Sequence, residues 1–272
     1  MTHPSYGLLR QVTPFASVLL AANPGPMTLD GTNTWLLGSG PDRVVVDPGP
    51  GDEHLERILA QGPVSLVLLT HHHFDHTESA AELAERAGAP VRALDPQLCT
   101  GAGPLVDGEV VEASGVRLTV LATPGHTRDS VCFRAERDGQ EAVLTGDTIL
   151  GRGTTVVAHP DGHLGSYLAS LRALAALPAG LPALPGHGPD LPDVVEVANG
   201  YLAHREQRLD QIREVVRARG PQVTAAEVVA VVYADVPPEV REAAAWSVAA
   251  LTTQPNASVS VPAGAARSSA TE

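Results

Sequence analysis

Lysine is missing from this chain of 272 residues: all 18 basic side chains are arginine, set against 31 aspartates and glutamates, for a net charge of −13. A chain so acidic repels polyanions at long range, which argues against extended duplex binding. Cysteine is scarce as well. Cys99 and Cys132 make no disulfide framework, and their positions predict buried thiols in a reducing compartment. No stretch approaches the ~18 uninterrupted apolar residues of a membrane-spanning helix. The N-terminus lacks the basic, apolar and small-residue succession of a secretion signal. These absences predict a cytoplasmic protein with no membrane partner. Hydrophobic content of 43% and charge of 18% are those of an ordinary globular protein, long enough for one large domain and a small appendage.

Histidine is what the chain has, and residues 70–76 read Thr-His-His-His-Phe-Asp-His. His71 and His73 are two apart, so at an extended strand end they point to one side, and Asp75 and His76 follow on the turn. Neutral imidazole and carboxylate are zinc ligands. The apolar run from Val64 predicts a buried strand that delivers them. A surface histidine tract would have unrelated surroundings. Here three more metal-type residues follow glycine after apolar segments: His126 in Thr-Pro-Gly-His, Asp147 in Leu-Thr-Gly-Asp and His187 in Leu-Pro-Gly-His.

In these seven positions the chain resembles the metallo-β-lactamase superfamily of hydrolases, over about residues 15–190. The resemblance implies a first metal on His71, His73 and His126, a second on Asp75, His76 and His187, and Asp147 bridging. It also implies a hydroxide activated by two Zn²⁺ ions, with iron or manganese as other occupants of such a ligand set. Asp75 would act catalytically by orienting the nucleophile or moving its proton. Asp47, which follows a strand and precedes Pro-Gly, would support the metal loop from behind.

A narrower likeness runs from Asn23 through Gly38 and resumes at Tyr201-Leu-Ala-His-Arg205 and Arg208. It is to the β-lactamase-like protein 2 group, which includes an endoribonuclease of single-stranded RNA and shares its signature with fungal carrier-protein thioesterases. The expected substrate is therefore single-stranded RNA or a small ester or thioester. Glyoxalase II-like chemistry is the less attractive thioester version, because that family uses C-terminal lysine. Antibiotic lactamases fit poorly, since their best-known class carries cysteine near Asp147 and arginine at His76. A metal- or nucleic-acid-binding module without catalysis is the alternative from another class. Glu78 departs from the small residues usual after the ligand loop. At a cleft rim it would disfavour anionic substrates, and otherwise it simply opens a helix.

Alternating strands and helices predict an α/β fold. The resemblance implies a four-layer αβ/βα sandwich over residues 1–190 and a helical segment over 191–252 similar to part of a winged helix; there the likeness stops, and a Ser/Ala/Pro-rich composition predicts a disordered tail over 253–272. Expected strands are 17–22, 34–38, 43–47, 65–70, 91–94, 116–122, 130–134, 142–145 and 181–184. Expected helices are 53–61, 78–87, 166–177 and 193–219, then a capped piece over 224–233 and a third after Pro237-Pro238 to about residue 250. Arg205 and Arg208 are candidate anchors for a substrate phosphate or carboxylate, against a plain solvated helix face. Asn33 and Thr34 either shape the cleft or fix a turn. Thr70 and Thr127 flank ligands and are candidates to hydrogen-bond them. His72 is expected to face away from the metals, and His54, His159 and His163 to be surface or loop residues.

Overall fold

The computed structural model describes residues 5–234 except 39, 159 and 221. The helix expected after Pro237 and the tail lie outside the described residues. One sheet has the order β1 (Leu9–Thr13), β2 (Ala16–Leu20), β3 (Asn33–Leu37), β4 (Arg43–Val46), β5 (Val64–Leu68) and β6 (Val91–Arg92). The other contains β7 (Val110–Ala113), β8 (Val116–Ala122), β9 (Val131–Arg137), β10 (Gln140–Gly146) and β11 (Ala183–Pro185), running in space from β11 to β7. Helices α1 (Glu53–Leu59), α2 (Phe74–Thr77) and α3 (Ala80–Ala87) belong to the first half. Helices α4 (Leu164–Ala175), α5 (Val194–Arg219) and α6 (Ala225–Val232) belong to the second.

Three buried clusters separate four layers. Trp35, Leu37, Val44, Val46 and Leu68 meet Leu118, Val120, Phe133 and Leu144 between the two sheets. The alternate residues Leu36, Val45, Val67 and Leu69 pack outward onto Leu55, Ile58 and Leu83 of α1 and α3. On the other outer face Cys132, Val143 and Ala183 meet Tyr167, Leu171, Val194, Ala198 and Tyr201 of α4 and α5. Strands buried on both faces need no polar alternation, which is why β4 and β5 read as continuous apolar runs. The helical segment after residue 191 thus starts as part of the sandwich's outer layer.

Two strands went unexpected. Both β1 and β7 are edge strands, paired on one side and largely exposed, so neither carries an apolar pattern. The capping box at Thr224 and Glu227 forms at the start of α6, which packs on α5 through Ile212, Val228, Val229 and Val232. Among the described residues no helix is long and apolar enough to cross a membrane.

The layout places the chemistry. Parallel pairing aligns β4 with β5 and β10 with β11, while β8 and β10 share a direction through the antiparallel β9 between them. The segments that leave the C-terminal ends of β4, β5, β8, β10 and β11 carry Asp47, residues 71–76, His126, Asp147 and His187 in turn.

Candidate metal centre

β5 ends at Leu68, three residues before His71, so strand alternation is not what aligns His71 with His73. The chain turns after Thr70, and His73 sits at the N-cap of α2. That geometry brings His71 Nε2 to 3.0 Å from His73 Nδ1, and His73 Nδ1 to 3.1 Å from His126 Nε2. A second trio adjoins it: His187 Nε2 lies 3.1 Å from Asp75 Oδ2 and 3.2 Å from His76 Nε2. Asp147 stands between them, with Oδ1 at 3.5 Å from His76 Nε2 and Oδ2 at 3.7 Å from His126 Nε2. The ligand atoms of His71, His73 and His126, of His71, His76 and Asp147, and of Asp75, His76 and His187 each lie within 4.8 Å of one another.

Outer partners decide which nitrogens face inward. His126 Nδ1 donates to the Val156 carbonyl at 2.7 Å, and His187 Nδ1 to the Gly31 carbonyl at 3.0 Å. His76 Nδ1 donates to Asp47 Oδ2 at 2.8 Å. Thr70 Oγ1 donates to the same Asp47 oxygen at 2.7 Å and therefore accepts from His71 Nδ1 at 3.0 Å. Each of these four rings thus turns its Nε2 toward its neighbours, the arrangement that ligating histidines require.

The inward nitrogens of His71 and His73 lie 3.0 Å apart and those of His76 and His187 3.2 Å apart, a crowding of ligand atoms that a bound cation accommodates. A second sign is Asp147 Oδ1, which is buried with no hydrogen-bond partner. A third is Gly186, where an added Cβ would come within 2.6 Å of Asp147 Oδ1 and 2.7 Å of His76 Cε1. Only glycine leaves that space open. The residues present therefore fit a pair of divalent cations, with imidazole and carboxylate donors suited to zinc and, equally in kind, to iron or manganese.

Electrostatics divide the two trios. Burial, then the neighbouring imidazoles, hold His71 well below its ordinary value, and burial and His126 push His73 down to about 4. Burial likewise lowers His126. His76 goes the other way: burial opposes its charge, yet Asp47 and Asp147 raise it to about 10. His187 is also raised, burial being outweighed by Asp147 and Asp75. Burial favours the neutral carboxyl in Asp75 and Asp147, but the adjacent imidazolium groups outweigh it and keep both ionised.

Metal entering the second trio must displace protons, whereas the first trio is already neutral at pH 7. Occupancy of the second trio is therefore expected to weaken about tenfold for each unit by which pH falls, per proton displaced. Calorimetric titration in buffers of different ionisation heat is expected to show proton release for one metal only. Equal release for both would contradict this division.

Several expectations need correction. Arg205 is only 8% exposed, its guanidinium donating to the Thr155 carbonyl and lying 5.5 Å from the centre of the Tyr167 ring. Arg208 donates to the Val232 carbonyl at 2.6 Å and lies over the Tyr233 ring, joining α5 to α6. Both cations are engaged by groups of the protein itself, Arg205 buried and Arg208 half-buried. Asn33 is turned inward too: its amide donates to the Pro185 and Gly188 carbonyls at 3.0 and 2.8 Å and so brackets His187. His54 is buried, not a surface residue. Thr34 Oγ1 donates to the Asp47 carbonyl and accepts from His54 Nε2, and burial pushes this histidine down to about 4.

Thr127 bonds Ser130 rather than a ligand, and His163 caps α4 by accepting from Ser166 N. His72 bonds Asp129 Oδ1 at 2.6 Å. His159 lies outside the described residues. The Val156 and Gly31 carbonyls were not anticipated, since a backbone oxygen leaves no side-chain signal.

A profile of the Metallo-beta-lactamase superfamily matches residues 27–187. The chain is 34% identical over 262 residues to Lactamase-like protein aptB of Emericella nidulans, covering 90% of this chain and 82% of that one. It is 32% identical over 246 residues to Atrochrysone carboxyl ACP thioesterase of Aspergillus fumigatus, covering 82% and 75%. Among solved structures it is similar to a metallo-beta-lactamase family protein of Thermus thermophilus, with a TM-score of 0.73, 26% identity and coverage of 88% and 92%.

Proposed function

The chain belongs to the metallo-beta-lactamase superfamily and is a hydrolase of it, and from that premise we propose that it cleaves acyl thioesters at a pair of zinc ions. His71, His73 and His126 would hold one ion, Asp75, His76 and His187 the other, and Asp147 both. Two such ions polarise a carbonyl and lower the pKa of water toward ~7. Asp75, ionised and partly exposed, would orient the attacking water and pass on its proton.

Phe74 is the observation that carries the choice of substrate. It is flanked by His73 and Asp75, opens α2, and is 70% exposed, while Phe15 and Phe133 are fully buried. An exposed apolar ring between two ligand residues in the sequence would offer apolar contact to a substrate with bulk to cover it. The curated relatives support the same reading, two of them bearing the name of a carrier-protein thioesterase. RNA cleavage is less well served. Arg205 and Arg208, put forward as its phosphate anchors, are engaged by groups of the protein itself, and the residue exposed after α2 is the acidic Glu78. Two unpaired thiols and an acidic surface are consistent with a cytoplasmic location and a small-molecule or carrier-bound substrate.

The test is one assay on acyl thioesters of graded size and on unstructured RNA, with zinc and with chelator. Thioester hydrolysis that chelator abolishes is expected. Phe74→Ala is expected to raise KM about tenfold or more for aryl and long-chain substrates, in line with the ~1.5–3 kcal/mol of burying such a side chain. Its kcat and its action on an acetyl thioester should not change. Cleavage of RNA alone would replace the proposal.

A further inference from the structure

Arg205 presents a physical oddity. Its side chain is buried, yet no carboxylate among the described residues pairs with it, and its Nε has no hydrogen-bond partner. Burying a guanidinium without a counter-charge is costly, and apolar replacements of buried ionic groups are often neutral or stabilising. Its contacts must therefore be weighed for something other than stability.

Those contacts lead to one loop, residues 148–156. Arg205 donates to the Thr155 carbonyl. Its platform, Tyr167 of α4, donates its own hydroxyl to the Thr148 carbonyl at 2.8 Å. Tyr201, one helical turn before Arg205 on α5, accepts from Leu150 N at 3.2 Å and donates to the Leu150 carbonyl at 3.3 Å. Three side chains from the outer helical layer thus grip the loop by its backbone at three points.

The loop in turn touches three metal-ligand residues. Thr155 Oγ1 donates to the Asp147 carbonyl at 2.7 Å. Gly151 N donates to the His187 carbonyl at 2.8 Å. The Val156 carbonyl accepts the His126 Nδ1 proton at 2.7 Å and so selects that ring's tautomer. Asp147 stands between the trios, with His126 in the first and His187 in the second. A shift of this loop would therefore move a ligand of each metal and the residue shared between them.

We propose that Arg205 is a positioning residue for the metal pair, acting through the 148–156 loop rather than through substrate. This rests on the reading of the centre as a two-metal site but not on which substrate it cleaves. Replacing the partners that orient metal ligands typically weakens metal binding about 10–100-fold, and Arg205 fixes the loop that supplies one such partner and reaches two further ligands. The arginine is suited to the task because its planar fork holds a fixed direction with little further ordering.

The experiment measures zinc affinity and stoichiometry of the full chain by competition with a chromophoric chelator, together with the Tm of the metal-free protein. Wild type is compared with Arg205→Met, Arg205→Lys and the exposed control Arg213→Met. Arg205→Met is expected to bind zinc about 10–100-fold more weakly while its metal-free Tm is unchanged or higher. Arg205→Lys, which keeps one donor for the Thr155 carbonyl, is expected to recover part of the affinity. Arg213→Met should match wild type. A metal-free Tm that falls while zinc affinity stays within about threefold would mean that Arg205 only supports the fold, and would overturn the proposal. If Arg205→Met does not fold, Thr155→Val cuts the link to Asp147 further along, and wild-type zinc affinity in that variant would overturn it equally. A wild-type protein that binds no zinc at all would instead defeat the two-metal reading beneath it.

Discussion

Asp147→Ala is expected to lower turnover on the order of 10³-fold or more and to leave the purified protein with fewer than two metal ions. The expectation follows from position. Asp147 lies within 3.7 Å of a ligand nitrogen from each trio, so its carboxylate alone serves both. It is buried and ionised, with one oxygen unsatisfied by any protein donor. Removing it deletes the shared anion and leaves His76 and His187 with only Asp75 and Asp47 to balance their charge. Metal-assisted hydrolysis draws several kcal/mol of barrier reduction from charge stabilisation, and each ~1.36 kcal/mol is tenfold in rate. Asp147→Asn keeps the shape while removing the charge, so it separates the two contributions. Elemental analysis and kcat on the same preparations provide the check. Wild-type turnover with Asp147→Ala would show that the reaction does not take place at this centre.

The sequence disclosed the interior of this fold better than its margins. Strands β3, β4, β5, β8 and β10 are buried on one or both faces, and their apolar residues announce them within a few positions. Edge strands β1 and β7 are held mainly by backbone hydrogen bonds, to which any side chain is compatible, so their composition is silent. The ligands were legible for a chemical reason: few residue types bind metal, and glycine before each of the last three marks a tight turn. Gly125 shows how specific that mark is. Its φ is +142°, and an added Cβ would lie 2.3 Å from Tyr167 Cα.

The arginines show where such reading stops. Arg205 and Arg208 lie three apart on α5 with acids nearby, a pattern shared by a phosphate clamp, a solvated face and a buried strut. Only packing separates these. Arg205 turns under the sandwich toward Thr155, and Arg208 turns toward α6. His54 failed for the same reason. A histidine after Gly-Asp-Glu looks exposed, yet the sharp turn beginning at Asp47 folds it back onto Thr34.

Asp47 combines a strained backbone with three hydrogen bonds, and its substitution is expected to produce the second large effect. Its φ is +52°, in the left-handed region that aspartate and asparagine tolerate better than most residues. Its Oδ1 accepts from Thr70 N at 2.8 Å, and its Oδ2 accepts from Thr70 Oγ1 and His76 Nδ1. Through these bonds one carboxylate aims two ligands, His76 directly and His71 by way of Thr70. Asp47→Ala strands a buried imidazole and a buried hydroxyl and adds backbone strain, so a loss of about 3–5 kcal/mol in metal-free stability is expected. Asp47→Asn keeps the backbone geometry but substitutes a donor for one acceptor, and only two of the three bonds can survive. That variant is expected to stay folded while its metal affinity falls about 10–100-fold. It also removes the largest influence raising His76, so proton release on loading the second metal should diminish. Denaturant unfolding of the metal-free variants and calorimetric metal titration measure these effects separately. Unaltered affinity in Asp47→Asn would mean that the loop aims its histidines without this carboxylate, and that the shape of the turn, rather than the charge behind it, fixes their direction.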